Sequence, residues 1–114
     1  MPFNSIRAAL MDIRYHIDLA VDFTKGLDYE SFSKDLRIIY AVTRCLEIIS
    51  EASRRLPDSI KERHPYIAWR QMAGAGNIYR HDYEDVSSRH VWDTVNIALP
   101  PLSIAIDHEL HLTP

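Results

Sequence analysis

Residues 34–56 carry apolar side chains on two sides of a helix, and this feature restricts the fold more than any other. One stripe repeats every three or four residues and consists of Leu36, Ile39, Val42, Leu46 and Ile49. A second stripe consists of Ile38, Cys45, Ile48 and Ala52. Other helices must cover a helix that is apolar on two sides, so we predict that this segment lies at the centre of the fold.

Residues 4–23 show the same helical spacing on one side only, which predicts an amphipathic helix. The stripe consists of Ile6, Leu10, Ile13, Ile17 and Val21. Gly26 follows closely and is expected to end this helix in the left-handed conformation, because glycine has no Cβ to clash there.

Two more main helices are predicted in the second half of the chain. One covers about residues 67–80, and the other begins at Ser87 or Ser88 after a polar connection. Pro100 is expected to end or kink the second of these helices, although the apolar spacing continues beyond it.

Short helices are predicted to begin near Asp28 and near Ser59, where Glu62 stands at capping-box spacing. No segment shows the sustained alternation of apolar and polar residues that is typical of strands, so the predicted fold class is all-α. We expect one domain, residues 1–114, built as an up-and-down bundle of four main helices with one or two short extra ones.

The composition argues against several classes of protein. The chain has 13 basic and 16 acidic residues and a net charge of −3, which does not favour a wide basic face for nucleic acid. Its apolar runs are far shorter than the roughly 20 residues that a membrane span needs. The single cysteine, Cys45, excludes an internal disulfide and is predicted to be a buried, inert thiol. We therefore expect a cytoplasmic protein.

Most of the candidate chemistry lies in residues 69–83. Arg80 supplies a permanent cation whose geometry suits phosphate, His81 titrates near neutral pH, and Tyr83 adds a phenol. Together these groups could act on a phosphodiester. On spacing alone, a surface histidine at a helix end is the simpler interpretation of His81.

Three polar groups suggest metal binding, and each has a simpler interpretation. The histidines in residues 108–111 are three apart, whereas the zinc motif needs four, so this segment is interpreted as a polar C-terminal turn. The acidic residues of 82–85 suit caps and turns. Glu47 and Glu51 lie one turn apart but lack the accompanying Glu-x-x-His of a di-metal site. We predict no metal site.

Six separated segments closely resemble, in the same order, the HepT-like members of the HEPN superfamily. They are residues 41–52, 63–65, 69–74, 77–83, 91–92 and 99–100. The resemblance covers nearly the whole chain and implies an α-helical bundle that pairs as a homodimer, with a composite cleft between the protomers.

The same resemblance implies a function. Proteins of this family are typically metal-independent RNA endonucleases that act as toxins, and they need no cofactor. They are encoded beside an MntA-type minimal nucleotidyltransferase that serves as the antitoxin. The implied partners are therefore an RNA substrate, a second copy of the chain and a nucleotidyltransferase.

The family motif consists of arginine, asparagine, three arbitrary residues, histidine, one arbitrary residue and tyrosine. Asn77, His81 and Tyr83 match it, whereas Gly76 stands at the position of the arginine. By analogy His81 is the general acid or base, with Asn77 in the same site. The resemblance also implies that the partner enzyme can adenylylate Tyr83.

The cation of the motif would then have to come from another residue. Arg80 adjoins His81 but is offset by about 100° around a helix, so its long side chain would have to curl back or act across the dimer. Arg44 and Arg70 are further candidates.

Two other interpretations stay open because of Gly76. The protein could be a catalytically weak dimer that binds the nucleotidyltransferase or a nucleotide. Alternatively, Gly74 and Gly76 could serve only as a surface for close helix packing, and Tyr83 could have a purely structural role.

Overall fold

The computed structural model describes residues 3–72 and 84–112, and this part of the chain is almost entirely helical. The helices are α1 (Phe3–Thr24), α2 (Tyr29–Ser33), α3 (Leu36–Arg54), α4 (Asp58–Arg63), α5 (Glu84–Asp93) and α6 (Leu99–Leu112). Residues 69–72 are also helical, and a π-helical stretch, Thr94–Ala98, joins α5 to α6. The described residues contain no strand, and the predicted all-α fold class is confirmed.

The long helix α3 is central, as its two apolar stripes predict. It packs along α1 and also contacts α2 and α5. Its buried apolar side chains are Ile39, Val42, Cys45, Leu46, Ile49 and Ala52. Ile38 and Ile48 are half-buried, and Leu36, in the first turn, is 63% exposed.

Cys45 lies in this core and forms no disulfide. Burial raises the pKa of its thiol, because the thiolate is poorly solvated there. The predicted burial of this thiol is confirmed.

The boundaries of the first helices follow local capping rules. Gly26 has a φ of 79° and lies two residues after the end of α1, as predicted. Asp28 caps α2 by accepting a 2.8 Å hydrogen bond from the Ser31 amide. Asp35 caps α3 in the same way, by accepting hydrogen bonds from the amides of Arg37 and Ile38.

The predicted capping box at Ser59 is wrong. Helix α4 begins one residue earlier, and its N-cap is Pro57, which has no side-chain acceptor to offer. Ser59 is therefore inside the first turn, where it cannot cap.

Substitution of Gly26 by alanine should lower the free energy of unfolding by about 1 kcal/mol, because L-residues are strained at positive φ. A Cβ at this position would meet no atom within 4 Å, so the loss comes from the backbone alone. Urea denaturation measures it. The matched control is Gly26→Asn, which tolerates this conformation better and should lose less. Equal losses for the two variants would contradict this explanation.

The C-terminal half contains one long helical path that passes through two prolines. The sequence predicts an end or kink at Pro100, yet α6 runs through Pro100 and Pro101. The irregularity lies just before them, where the Leu99 amide donates to the Thr94 carbonyl in a π-helical bond. Since proline lacks an N–H and crowds the preceding turn, this local widening lets the helix continue.

Among residues 3–72 and 84–112, none of the helices has the length and apolar character required to cross a membrane.

Candidate active site

The motif residues Asn77, Arg80, His81 and Tyr83, together with Gly76, lie outside the described residues, so their roles remain predictions. We call residues 73–83 the motif segment. The structure describes the chain on both sides of this segment, and the contacts there show what holds its two ends.

On the N-terminal side, Trp69 anchors the helical residues 69–72. Its indole N–H donates a 3.0 Å hydrogen bond to the carbonyl oxygen of His64, and its ring packs against the core. The amide of Ile67, whose side chain is buried, donates to the same carbonyl at 3.1 Å. The start of this helix is therefore fixed to the residue that follows α4.

His64 is itself held by a buried carboxylate on the last helix. We call Arg63, His64 and Glu109 the buried cluster. Glu109 is 0% exposed and accepts a 2.7 Å hydrogen bond from His64 Nε2. Arg63 donates to the two oxygens of Glu109, from Nε at 3.0 Å and from Nη2 in a second, short bond. Two adjacent residues thus attach the loop after α4 to α6.

Electrostatics in the buried cluster determine which atoms carry protons. The hydrogen bond from Arg63 lowers the pKa of Glu109 against the opposing effect of burial, and the hydrogen bond from His64 adds to the lowering. An ionised carboxylate can only accept, so His64 Nε2 must carry a hydrogen and donate it. In neutral His64 the other nitrogen, Nδ1, then accepts from the hydroxyl of Tyr66 at 3.2 Å.

The interpretation of residues 108–111 as a polar C-terminal turn is wrong for Glu109. His108 and His111 are exposed, but Glu109 lies on the buried side of α6. The sequence contains a signal for this, because Glu109 stands seven residues after the buried Leu102 and so continues its apolar stripe. A carboxylate in such a position requires a buried partner, and Arg63 and His64 supply it.

On the C-terminal side, α2 holds the middle and the end of α5. The hydroxyls of Tyr29 and Ser88 share a 3.1 Å hydrogen bond, and the Arg89 guanidinium lies 3.8 Å from the centroid of the Tyr29 ring. The ring of Trp92 lies 5.1 Å from that of the fully buried Phe32. Aromatic and cation–π contacts of this kind favour one orientation of the two helices.

The predicted start of α5 at Ser87 or Ser88 is incorrect. The sequence predicts a polar connection up to Ser88, but α5 begins at Glu84, and Ser88 is buried within it. Ser88 bonds to Tyr29 instead of capping a helix, a role that depends on a contact between distant parts of the chain.

A cavity of about 190 Å³ lies between the middle of α3 and the helices on either side of the motif segment. Its walls are mainly apolar and include Leu46 and Ile49 of α3, Met72, Leu99, and the more polar His90 and Thr94. Met72 is the last described residue before the motif segment, and His90 belongs to the helix after it. Met72 and His90, which flank the motif segment in the sequence, thus both lie beside α3.

The candidate cations Arg44 and Arg70 are both exposed, whereas Arg80 lies outside the described residues. Arg44 is on α3, and Arg70 directly follows the anchored Trp69. Either guanidinium is accessible to a phosphate from solvent.

Glu51 is engaged in a local ion pair. Arg54, three residues further along α3, donates to it, and this bond lowers the pKa of Glu51. Within the described parts of the chain, no three His, Cys, Asp or Glu side chains are placed to hold a metal ion. The acidic side chains of 82–85 lie outside the described ones.

The structure defines an all-α protein of the HEPN-like type, in which core contacts hold the helices on either side of the predicted motif segment. Residues 13–109 match the family model described as ribonuclease HepT-like. The chain belongs to this family.

Two relatives illustrate what the chain is similar to. The chain is 39% identical over 102 residues to "Putative RNase MJ0125" of Methanocaldococcus jannaschii, covering 90% of this chain and 88% of that protein. It is 41% identical over 93 residues to "Probable ribonuclease HepT" of Thermococcus cleftensis, covering 82% and 84%. No solved structure matches the chain.

Proposed function

We propose that this protein is a metal-independent RNA endonuclease and the toxin of a toxin–antitoxin pair. The observation that carries the proposal is the match of residues 13–109 to the HepT-like ribonuclease family, within which Asn77, His81 and Tyr83 fit the motif. The names of the relatives from Methanocaldococcus jannaschii and Thermococcus cleftensis support it.

The proposed reaction uses the RNA 2′-hydroxyl as the nucleophile. Its oxygen forms a bond to phosphorus while the bond from phosphorus to the 5′-oxygen breaks, which leaves a cyclic phosphate and a 5′-hydroxyl. His81 moves a proton between the attacking or leaving oxygen and solvent, and Asn77 lies in the same site. A nearby cation stabilises the additional negative charge on the phosphoryl oxygens.

Because Gly76 stands where the motif has its arginine, this cation comes from an arginine elsewhere in the chain. Arg80 is the first candidate because it adjoins His81 in the sequence. The exposure of Arg44 and Arg70 supports them as further candidates, since an accessible guanidinium can bind phosphate with two hydrogen bonds.

The proposed assembly is a homodimer with a composite cleft, bound in the cytoplasm by an MntA-type nucleotidyltransferase. Large apolar side chains on the surface support association with other protein surfaces. Tyr40 of α3 is 69% exposed, and Ile97 and Ile104 are 71% and 70% exposed.

The test of the activity is a cleavage assay in excess chelator, with protein expressed and purified in the absence of the nucleotidyltransferase. We expect single-stranded RNA to be cut and DNA of the same sequence to stay intact, because DNA lacks the 2′-hydroxyl. If wild-type protein left RNA intact while Gly76→Arg cut it, the native protein would be the catalytically weak binding module instead.

Tyr83 is the proposed site of adenylylation. Incubation with the nucleotidyltransferase and ATP should add nucleotide mass to wild-type protein and inhibit cleavage, since the added phosphate places negative charge beside His81. Tyr83→Phe should gain no mass and stay active. The matched control is Tyr66→Phe, which removes a hydroxyl from a residue that is 64% exposed and should be modified like wild type. Modification of Tyr83→Phe at the wild-type level, detected by intact mass, would exclude this site.

A further inference from the structure

Glu109 is an expensive group to bury, and stability alone does not explain its presence. Its side chain is completely inaccessible, and the carboxylate is kept ionised by Arg63 and His64. An apolar residue of similar volume generally stabilises a core at least as well as a buried ion pair does. A carboxylate at this position provides what an apolar residue cannot, namely a directional acceptor for His64.

A continuous set of hydrogen bonds leads from this acceptor to the start of the helical residues 69–72. Glu109 Oε2 holds the His64 ring through a 2.7 Å bond, and the His64 carbonyl holds the Trp69 indole through a 3.0 Å bond. The His64 amide donates to the Lys61 carbonyl at 3.1 Å, which ties the same residue to the end of α4. His64 is thus held at its ring and at both backbone polar groups.

We propose that Glu109 is a positioning residue for RNA cleavage, acting through His64 and Trp69. By fixing the His64 ring, it sets the position of Trp69 and of the helical residues from which the chain continues into Asn77 and His81. The role in cleavage rests on the proposed function. Glu109 is distant from the motif in the sequence and acts through the contacts of His64 and Trp69, so it is not itself a catalytic residue.

The variant that isolates this role is Glu109→Leu. Leucine has a similar volume and keeps the core filled, so the protein should remain folded, with a thermal midpoint lowered by the loss of the acceptor for His64. Arg63, whose side chain is 47% exposed, can turn towards water, but His64 loses its acceptor. Glu109→Gln is the conservative variant, because its amide oxygen can still accept from His64 Nε2.

Leu102→Ala controls for general destabilisation. Leu102 is 0% exposed, lies on the same helix and belongs to the same buried stripe, but its apolar side chain makes no hydrogen bond. Its truncation creates a cavity and lowers the thermal midpoint without removing a hydrogen bond of the buried cluster.

The first readout is the indole N–H signal of Trp69 in an NMR spectrum, which does not depend on enzymatic activity. The chain has two tryptophans, and Trp92 packs on Phe32 on the other side of the motif segment, so it serves as an internal reference. We expect Glu109→Leu to shift the Trp69 signal and leave the Trp92 signal in place. Glu109→Gln should stay near the wild-type position.

The second readout separates kcat from KM well below the thermal midpoint of each variant. Displacement of a catalytic group by about 1 Å can reduce a rate by roughly a hundredfold. We expect kcat of Glu109→Leu to fall by roughly tenfold to a hundredfold with KM nearly unchanged. Glu109→Gln should recover most of the rate, and Leu102→Ala should keep the wild-type kcat.

An unshifted Trp69 signal or a wild-type kcat in Glu109→Leu would overturn the proposal, and so would an equal loss of kcat in Leu102→Ala. If Glu109→Leu fails to fold, His64→Leu carries the same test, since it removes the imidazole and leaves Glu109 its bonds from Arg63. If wild-type protein cuts no RNA, the proposed function fails, and the role of Glu109 in cleavage fails with it. The Trp69 signal still decides whether Glu109 fixes the start of this helix.

Discussion

His81→Ala should reduce RNA cleavage by about 10²- to 10⁴-fold, the usual contribution of a general acid or base. Alanine cannot move a proton between the 2′-hydroxyl, the leaving 5′-oxygen and solvent. The measurement is the single-turnover rate on RNA in excess chelator, with wild type and variant purified identically. The chelator ensures that no contaminating metal-dependent nuclease contributes to either rate.

The matched control for this substitution is His111→Ala. His111 is an exposed histidine in the last turn of α6, and its loss should leave the cleavage rate at the wild-type level. If His81→Ala cuts RNA as fast as His111→Ala, His81 is not the general acid or base. Loss of activity in both variants would point to a general effect of replacing histidine.

Glu109→Ala should lower the free energy of unfolding by about 2–5 kcal/mol, because it leaves a cavity in the core and leaves the buried His64 N–H without an acceptor. The truncation removes both bonds from Arg63 and the bond from His64, and it leaves an empty space in the core. Urea denaturation at neutral pH measures the loss. Asp107→Ala is the control. Asp107 is a carboxylate on the same helix, but its side chain is 58% exposed and pairs with Arg14 at the surface. That pair should contribute less than about 1 kcal/mol.

The contribution of Glu109 should also depend on pH. Its pKa in the folded protein is lower than the ordinary carboxyl value of 4.5, because Arg63 and His64 bond to the charged form. The carboxylate therefore stabilises the folded protein at pH values above the ordinary pKa, and this stabilisation disappears as the pH falls through the lowered pKa. The difference between wild type and Glu109→Ala should narrow below about pH 4.5. A difference that stays constant on acidification would show that the cavity, rather than the charge, causes the loss.

The helices and their buried sides could be predicted from the sequence because the information is local. Apolar side chains spaced by three or four residues lie on one side of a helix, and this rule correctly places Ile39, Val42, Leu46 and Ile49 in the core. The end of α1 at Gly26 and the cap at Asp28 follow from the chemistry of one or two residues.

The candidate site could be predicted only in part. The motif assigns Asn77, His81 and Tyr83 from residue types and spacing, and those assignments remain predictions. The contacts that hold the chain on either side of the motif segment could not be predicted in the same way. They join residues that are far apart in the sequence, namely Tyr29 to Ser88 and Glu109 to His64.

The sequence by itself determined the all-α fold class, the central position of α3 and the membership of the HepT-like family. Only the tertiary structure decided that Glu109 is buried beneath Arg63 and His64, 46 and 45 residues away along the chain. The physical reason is range, since helical spacing acts over a few residues whereas the partner of a buried charge can come from any element that packs beside it. A carboxylate on an apolar stripe indicates that such a partner must exist, but its identity depends on how α4 and α6 meet.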